Sequence, residues 1–240
     1  MTLKCIGSGS SGNSYALIDN DNKILLLDLG LPVMEIKKAI DFRISDVVGA
    51  VVTHQHQDHS KSVADFGKMG IPVFKPYEDK KPMTLGGFKV CAIAMTDLQG
   101  KWMNTNADGS ECPCYGFLIE HNKLGRMLYI TDTELVKWRF KDINHILISC
   151  NYINDNLDDE NLAKRNHVLT GHMELETVKE FIKANATDSL QNVILCHLSE
   201  QNSDAERMAA EVQKVAPQAN VCVAESGLEV ELRNKNECPF

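Results

Sequence analysis

Three histidines and an aspartate lie within six consecutive positions of this sequence: His54, His56, Asp58 and His59. Imidazole nitrogens and carboxylate oxygens are ligands that divalent transition metals take in proteins. Three of the eight histidines in the chain fall in this segment. Such clustering is not expected by chance in a polar surface loop. The spacing therefore predicts a metal site built on residues 54–59, here named the metal turn.

A buried strand is expected to present the metal turn. Residues 47–53 are almost wholly apolar and β-branched, which is typical of a strand buried on both faces. Behind the turn, Val63, Phe66 and Met69 recur at helical spacing, and Ser60 is expected near the N-cap of that helix. The order strand, turn, helix places all four side chains at the C-terminal end of one strand.

Other residues of ligand type also follow apolar runs, where predicted strands end. They are Asp28, Thr96-Asp97, Asp132, His172 and His197. We expect these side chains to meet the metal turn at one edge of the sheets. A carboxylate can bridge two metal ions, and a hydroxide held between two ions is a nucleophile at neutral pH. Taken alone, Asp132 would sooner be interpreted as the cap of a turn, and His197 as a satisfied core histidine.

The composition is that of an ordinary globular protein, with 43% hydrophobic and 24% charged residues among 240. This length allows one large domain or two small ones. The formal charge of −8 argues against a protein that coats nucleic acid non-specifically. It is compatible with an enzyme that grips nucleic acid locally through metal ions and a few basic residues.

The sequence shows neither an apolar N-terminal leader nor a run of membrane-spanning length, so we expect a cytoplasmic protein without a membrane partner. Cysteines lie mostly inside apolar segments, and Cys150 and Cys196 are expected to be buried rather than paired in disulfides. The exception is Cys112-Pro113-Cys114, a weak signal for a metal or redox site.

The stretch His54-Gln55-His56-Gln57-Asp58-His59 resembles the H-x-H-x-D-H signature of the metallo-β-lactamase superfamily. The Gly/Ser loop of residues 7–13, Asn151-Tyr152, Gly171-His172-Met173 and residues 197–202 resemble further motifs of its small bacterial and phage hydrolases, a branch that includes nucleases. The resemblance implies an α+β fold, a four-layer αββα sandwich, with residues 1–232 as one domain and 233–240 as a C-terminal tail. The Gly/Ser loop could hold a phosphate through its N–H groups or be a plain tight turn.

The resemblance also implies a role for each candidate residue. His54 and His56 would bind a first metal, Asp58 and His59 a second, Asp132 would bridge them, and His197 would complete the second site. Asp58 would orient the attacking hydroxide, and His172 would donate to a phosphate oxygen or leaving group. Asp28 would support the metal turn from behind. Two divalent ions are expected, zinc first, with manganese or iron as alternatives.

The sequence departs from the family pattern at Thr96, where relatives usually carry a further histidine for the first metal. The first metal would then be bound by His54, His56 and Asp132. Water, Asp97 or a thiolate of Cys112 or Cys114 would supply the remaining ligand. The first site is expected to be weaker, or to hold a metal that prefers oxygen ligands.

The leading hypothesis is a metal-dependent phosphodiesterase that acts on DNA or RNA. One alternative is a hydrolase of small esters, thioesters or lactones, and another is a non-catalytic metal-binding scaffold with a degraded first site. Basic side chains at the rim favour a phosphate substrate, and Lys61, Lys101 and Arg165 are candidates. Two metals per chain would favour catalysis over the scaffold.

Overall fold

The computed structural model describes residues 1–79, 81–156 and 171–234, and most of its strands form two large sheets. The first sheet consists of β1 (Thr2–Gly7), β2 (Ser14–Ile18), β3 (Ile24–Leu27), β4 (Val47–Val51), β5 (Val73–Phe74) and β15 (Glu229–Glu231). Their spatial order is β15-β1-β2-β3-β4-β5. Strands β2 and β3 pair as an antiparallel hairpin, whereas β3 and β4 run parallel.

The second sheet consists of β6 (Met83–Leu85), β7 (Phe88–Ala94), β10 (Tyr115–His121), β11 (Gly125–Ile130), β12 (His145–Ser149), β13 (Asn192–Cys196) and β14 (Asn220–Val223). Their spatial order is β14-β13-β12-β11-β10-β7-β6, and β11 to β14 are parallel. The predicted long loop after β7 contains a small ribbon, β8 (Asn104–Thr105) paired with β9 (Glu111–Cys112).

Helices cover the outer face of each sheet. They are α1 (Val33–Ala39), α2 (Gln57–Ser60), α3 (Val63–Lys68), α4 (Leu175–Asn185) and α5 (Ala205–Val215), with 3₁₀ turns at Ile44–Asp46 and Asn154–Asn156. No helix in the described part of the chain combines the length and apolar character needed to cross a bilayer.

Three apolar cores separate the four layers. Side chains of a strand alternate between its two faces, so a strand covered on both sides must be apolar throughout. Leu25 lies in the core between the sheets, and its neighbour Leu26 lies in the core under α1 and α3. In β12, Leu147 lies between the sheets and Ile146 lies under α4 and α5. This double burial explains the continuous apolar runs read in the sequence.

Two helix starts differ from the sequence predictions. Ser60 is the last residue of α2, and the predicted helix with Val63 and Phe66 is α3, whose N-cap is Ser62. The pattern Ser203-x-x-Glu206 predicts a capping box at the start of α5, and this prediction is wrong. Asp204 is the N-cap of α5 and accepts from the Arg207 N–H, while the Ser203 hydroxyl donates to the Ser199 carbonyl.

Some predictions fall on residues that the structure does not describe. The sequence also predicts a short helix at residues 158–165, which lies there together with the candidate basic residue Arg165 and most of the predicted tail, 233–240. Arg233, the first residue of that tail, is described and its carbonyl accepts a hydrogen bond from the Gln191 side chain.

Candidate metal centre

Four predicted ligands meet in one group of close donor atoms. Ligand atoms of Asp58, His59, Asp132 and His197 all lie within 4.8 Å of one another. The Asp58 Oδ2 atom is 3.2 Å from His59 Nε2 and 3.3 Å from His197 Nε2. We name these four residues the second ligand group. The arrangement matches the set that the sequence assigns to the second metal.

A smaller group lies beside it. Ligand atoms of His54, His56 and Asp132 also fall within 4.8 Å of one another, and we name these residues the first ligand group. Asp132 belongs to both groups: its Oδ2 atom is 3.4 Å from His54 Nε2 and 3.2 Å from His59 Nε2. A carboxylate in this position has the geometry to bridge two cations.

The strand-end residues of the centre share an unusual backbone conformation. Asp28, Asp132 and His197 follow β3, β11 and β13, with φ angles of 56°, 49° and 54°. This left-handed region costs a non-glycine residue about 1–2 kcal/mol, and such strain clusters at functional sites. The turn directs each side chain out of the sheet towards the ligand groups.

Asp28 lies directly behind the metal turn. Its carboxylate accepts from the Thr53 backbone N–H at 2.8 Å, the Thr53 hydroxyl at 3.0 Å and the Tyr129 hydroxyl at 2.5 Å. His59 Nδ1 lies 2.7 Å from the same carboxylate. Donation of the Nδ1 proton to Asp28 leaves Nε2 as the His59 atom directed at the ligand groups, where loss of its proton would free a lone pair for a metal. His54 Nδ1 contacts the Thr53 hydroxyl at 3.0 Å, and this hydroxyl donates to Asp28. Asp28 is therefore linked directly to His59 and through Thr53 to His54.

The Gly/Ser loop braces the metal turn from the other side. The Asn13 N–H donates to the Asp58 carbonyl at 2.7 Å, and the Gly30 N–H donates to the Asn13 carbonyl at 3.0 Å. A Cβ on Gly30 would lie 1.7 Å from the Asp58 carbonyl oxygen, so the strand end must carry a glycine there. Asn13 Nδ2 also lies 3.1 Å from His59 Nε2. These contacts support a bracing role for the loop.

Asn151 and His172 lie beside His197. Asn151 Nδ2 is 2.9 Å from His197 Nδ1 and donates to the His197 carbonyl at 2.8 Å, while Asn151 Oδ1 accepts from the Met173 N–H. The amide thus fixes the orientation of the His197 ring. The ring centroid of His172 lies 5.9 Å from that of His197. Sequence reasoning noted Asn151 as part of a motif but missed its contact with His197.

Thr96 and Asp97 make their contacts outside both ligand groups. The Lys137 ammonium donates to the Thr96 hydroxyl at 2.7 Å and to the Asp97 carbonyl at 2.8 Å. The Asp97 carboxylate accepts from the N–H groups of Gln99 and Lys101, so it caps its own turn. No sequence pattern singled out Lys137.

Neither cysteine of the Cys112-Pro113-Cys114 stretch belongs to a ligand group found in the described residues. The Cys114 Sγ atom lies 3.8 Å from His54 Nδ1, the ring nitrogen that faces away from Asp132, and contacts the Thr131 carbonyl. Burial raises the pKa of the Cys114 thiol well above its ordinary value, which disfavours a thiolate.

Coulombic interactions set the charge of the centre. Burial opposes ionisation of Asp58, but the hydrogen bonds from His197 and His59 outweigh it and hold the Asp58 pKa far below its ordinary value. Burial also opposes ionisation of Asp132, but the positive charges of His197 and His59, together with a hydrogen bond from His59, lower the Asp132 pKa well below its ordinary value. Burial, followed by the charge of His59, lowers the pKa of His54, which favours its neutral, metal-binding form.

The residues present fit a divalent metal. His54 Nε2 is fully buried and, within the described part of the chain, has no hydrogen-bond partner. The nearby Asp132 Oδ2 is at 3.4 Å but outside hydrogen-bond geometry. A buried imidazole nitrogen without a partner is costly unless something binds it. The mixed nitrogen and oxygen donor set suits zinc, manganese or iron.

A polar cavity of about 660 Å³ lies at the opposite ends of the strands. The hairpin turns after β2 and β10 line it, with residues such as Asp19 and His121. It contains no member of either ligand group, and we assign it no part in the chemistry of the centre.

Comparison with known proteins agrees with this geometry. The model of the metallo-beta-lactamase superfamily matches residues 7–143. The chain is 26% identical over 248 residues to exodeoxyribonuclease YycJ of Bacillus anthracis, an alignment that covers 92% of this chain and 91% of that protein.

Two solved structures support the predicted αββα fold. YhfI of Bacillus subtilis, a metallo-beta-lactamase fold protein, superimposes with a TM-score of 0.69 at 15% identity and covers 95% of this chain and 98% of its own. The short form of human tRNase Z gives a TM-score of 0.59 at 12% identity, with 97% and 99% covered. At these identities the likeness concerns the fold, and the predicted fold class is confirmed.

Proposed function

Because the chain belongs to the metallo-beta-lactamase superfamily of metal-dependent hydrolases, we propose that it is a metal-dependent phosphodiesterase that cleaves nucleic acid. The observation that carries the proposal is Asp132, whose Oδ2 atom lies within 3.4 Å of His54 Nε2 and 3.2 Å of His59 Nε2. The carboxylate thus joins two adjacent ligand groups, which is the arrangement that two-metal hydrolysis requires. The exodeoxyribonuclease relative supports a nucleic-acid substrate.

The proposed roles follow from the contacts of each side chain. His54 and His56 would hold one metal, Asp58, His59 and His197 the other, and Asp132 both. When bound, such ions bind phosphate oxygens and lower the pKa of water so that it attacks at neutral pH. The ionised Asp58 carboxylate would orient the attacking water, whose oxygen forms the new bond to phosphorus as the ester P–O bond breaks. His172, beside His197, would donate a proton to the departing oxygen.

The charges at the rim favour a phosphate over a small ester. Lys61 and Lys101 are exposed, and Lys137 adds an ammonium group next to Thr96. The second ligand group has four protein ligands and the first has three, which supports catalysis over a degraded scaffold. Residues 1–232 remain our proposal for a single functional domain.

The test is hydrolysis by protein loaded with zinc or manganese, using end-labelled single- and double-stranded DNA and RNA. We expect cleavage of at least one of these, and a loss of about a hundredfold or more in kcat for Asp58→Ala, with an unchanged circular dichroism spectrum. Asp65→Ala, an aspartate of α3 outside both ligand groups, is the matched control and should keep wild-type turnover. Four intact substrates, or an Asp58→Ala variant as active as the wild type, would refute the proposal.

A further inference from the structure

Lys137 joins two loops at the edge of the sheet that carries the metal centre. Strands β7 and β11 both pair antiparallel with β10, so their C-terminal ends lie at the same edge. Thr96 and Asp97 follow β7, and Lys137 lies five residues after Asp132, which follows β11. The two hydrogen bonds from the Lys137 ammonium to Thr96 and Asp97 therefore tie these loops together at the sheet edge where Asp132 lies.

Two large apolar side chains are exposed where these loops meet. Leu98 is 79% exposed and Trp138 is 50% exposed, and they are two of the four large hydrophobic residues found exposed in the described residues. Leu98 follows Asp97, and Trp138 follows Lys137, so the pair flanks the tie between the loops. The Lys137 ammonium lies 5.3 Å from the centroid of the Trp138 ring, within the range of a cation–π contact. This contact holds a charged group against a half-exposed aromatic ring.

The second tryptophan of the chain is placed differently. The Trp102 ring packs on the Tyr115 ring at a centroid distance of 5.1 Å and is part of the local structure. Trp102 therefore has an aromatic packing partner, whereas half of the Trp138 side chain is exposed. A half-exposed indole at this edge has free surface to offer a ligand, and its ring would gain free energy by burial against one.

We propose that Leu98, Lys137 and Trp138 form a platform, here named the Trp138 platform, that binds an unpaired nucleobase next to the phosphate held at the metal centre. An indole face stacks on any base, and an adjacent ammonium attracts the phosphate that follows it. Because the formal charge of the chain is −8 and repels phosphate overall, a local cation contributes more to phosphate binding here. The ligand is a single-stranded nucleic acid, because the bases of a duplex are already stacked on one another. This inference rests on the proposed phosphodiesterase function.

The experiment measures binding to the full-length, metal-loaded protein. The probe is a twelve-residue oligothymidylate with phosphorothioate linkages, which resists cleavage, titrated while tryptophan fluorescence is recorded. We expect the probe to quench the emission of the wild type and of Trp102→Phe, and to leave that of Trp138→Phe largely unquenched. Trp138→Ala should bind about tenfold more weakly by anisotropy of a labelled probe, and Trp138→Phe should lose less, because phenylalanine still stacks.

An abasic oligomer with the same backbone separates stacking from charge. The wild type should bind it about as weakly as Trp138→Ala binds the oligothymidylate. Equal affinity of the wild type for both oligomers, or an unchanged affinity in Trp138→Ala with a native circular dichroism spectrum, would overturn the platform. Hydrolysis of bis(4-nitrophenyl) phosphate by the wild type reports on the proposed function separately. If the protein cleaves this ester but the affinity for the oligothymidylate does not change in the Trp138 variants, the platform proposal is wrong and the proposed function stands.

Discussion

The Nδ1 atom of His59 lies 2.7 Å from the Asp28 carboxylate, and both side chains are fully buried. The carboxylate collects further hydrogen bonds from Thr53 and Tyr129, so it is held in one orientation by three different parts of the chain. A histidine whose Nδ1 proton is directed in this way presents its Nε2 lone pair to a metal. The second ligand group therefore depends on a residue that belongs to neither ligand group itself.

Replacement of Asp28 by Asn should weaken metal binding by about 10–100-fold, the usual effect of losing a partner behind a metal-binding histidine. Asparagine tolerates the left-handed backbone at this position (φ 56°), so the fold should survive. Calorimetric titration with Zn²⁺ measures the change. Tyr129→Phe removes one donor to the same carboxylate and should weaken binding by a smaller factor. Wild-type affinity in Asp28→Asn would show that the contact does not orient His59.

Replacement of Gly30 by Ala should destabilise the protein by more than about 4 kcal/mol or prevent folding, because the new methyl group would lie 1.7 Å from the Asp58 carbonyl oxygen. Gly67→Ala is the matched control: no atom lies within 4 Å of its added Cβ, and it is in helix α3. This variant should gain about 0.5–1 kcal/mol. Urea unfolding measures the free energy of unfolding of both variants. A Gly30→Ala variant as stable as the wild type would contradict the close contact between Gly30 and the Asp58 carbonyl.

The sequence predicted those features of the site that depend only on the type of a residue and on its position at the end of a strand. Asp28, the metal turn, Asp132 and His197 each follow an apolar run, and parallel strands bring such ends to one edge. Contacts between side chains far apart in the chain could not be predicted in this way. Lys137 meets Thr96 across 41 positions, and only the pairing of β7 and β11 with β10 brings them together. The position of α2 was missed because a helix of four residues without a side-chain cap is too short to show helical periodicity in the sequence.

Replacement of His56 by Ala should remove one metal and leave the other. His56 belongs to the first ligand group alone, whereas Asp132 belongs to both. Inductively coupled plasma mass spectrometry after gel filtration should therefore give about one ion fewer per chain for His56→Ala, and the loss of both ions for Asp132→Ala. Cys114→Ser should keep the wild-type metal content, because the buried thiol contacts the far side of His54. Loss of metal in that variant would restore the thiolate alternative.

The buried His145 should make the fold sensitive to acid at a point remote from the metal centre. It lies at the start of β12 and is fully buried. Its Nε2 atom is 3.1 Å from the Arg233 carbonyl, and its Nδ1 atom is 3.0 Å from Asn192 Nδ2. The neutral ring satisfies both contacts, since Nε2–H donates and Nδ1 accepts. Burial lowers the His145 pKa to about 4, against a weaker opposing effect of backbone carbonyls.

The sign of the effect follows from proton binding. Between pH 6.5 and about 4 the unfolded chain binds a proton at His145 that the folded chain does not, so the free energy of unfolding falls as the pH falls. The contribution is complete above pH 6.5, and about 3 kcal/mol is lost across this window. Urea unfolding of wild type and His145→Gln at several pH values between 7 and 4 measures it. The glutamine variant is expected to be less stable at pH 7 but to lose about 3 kcal/mol less on acidification, whereas parallel pH curves would show that His145 does not titrate between the folded and unfolded states.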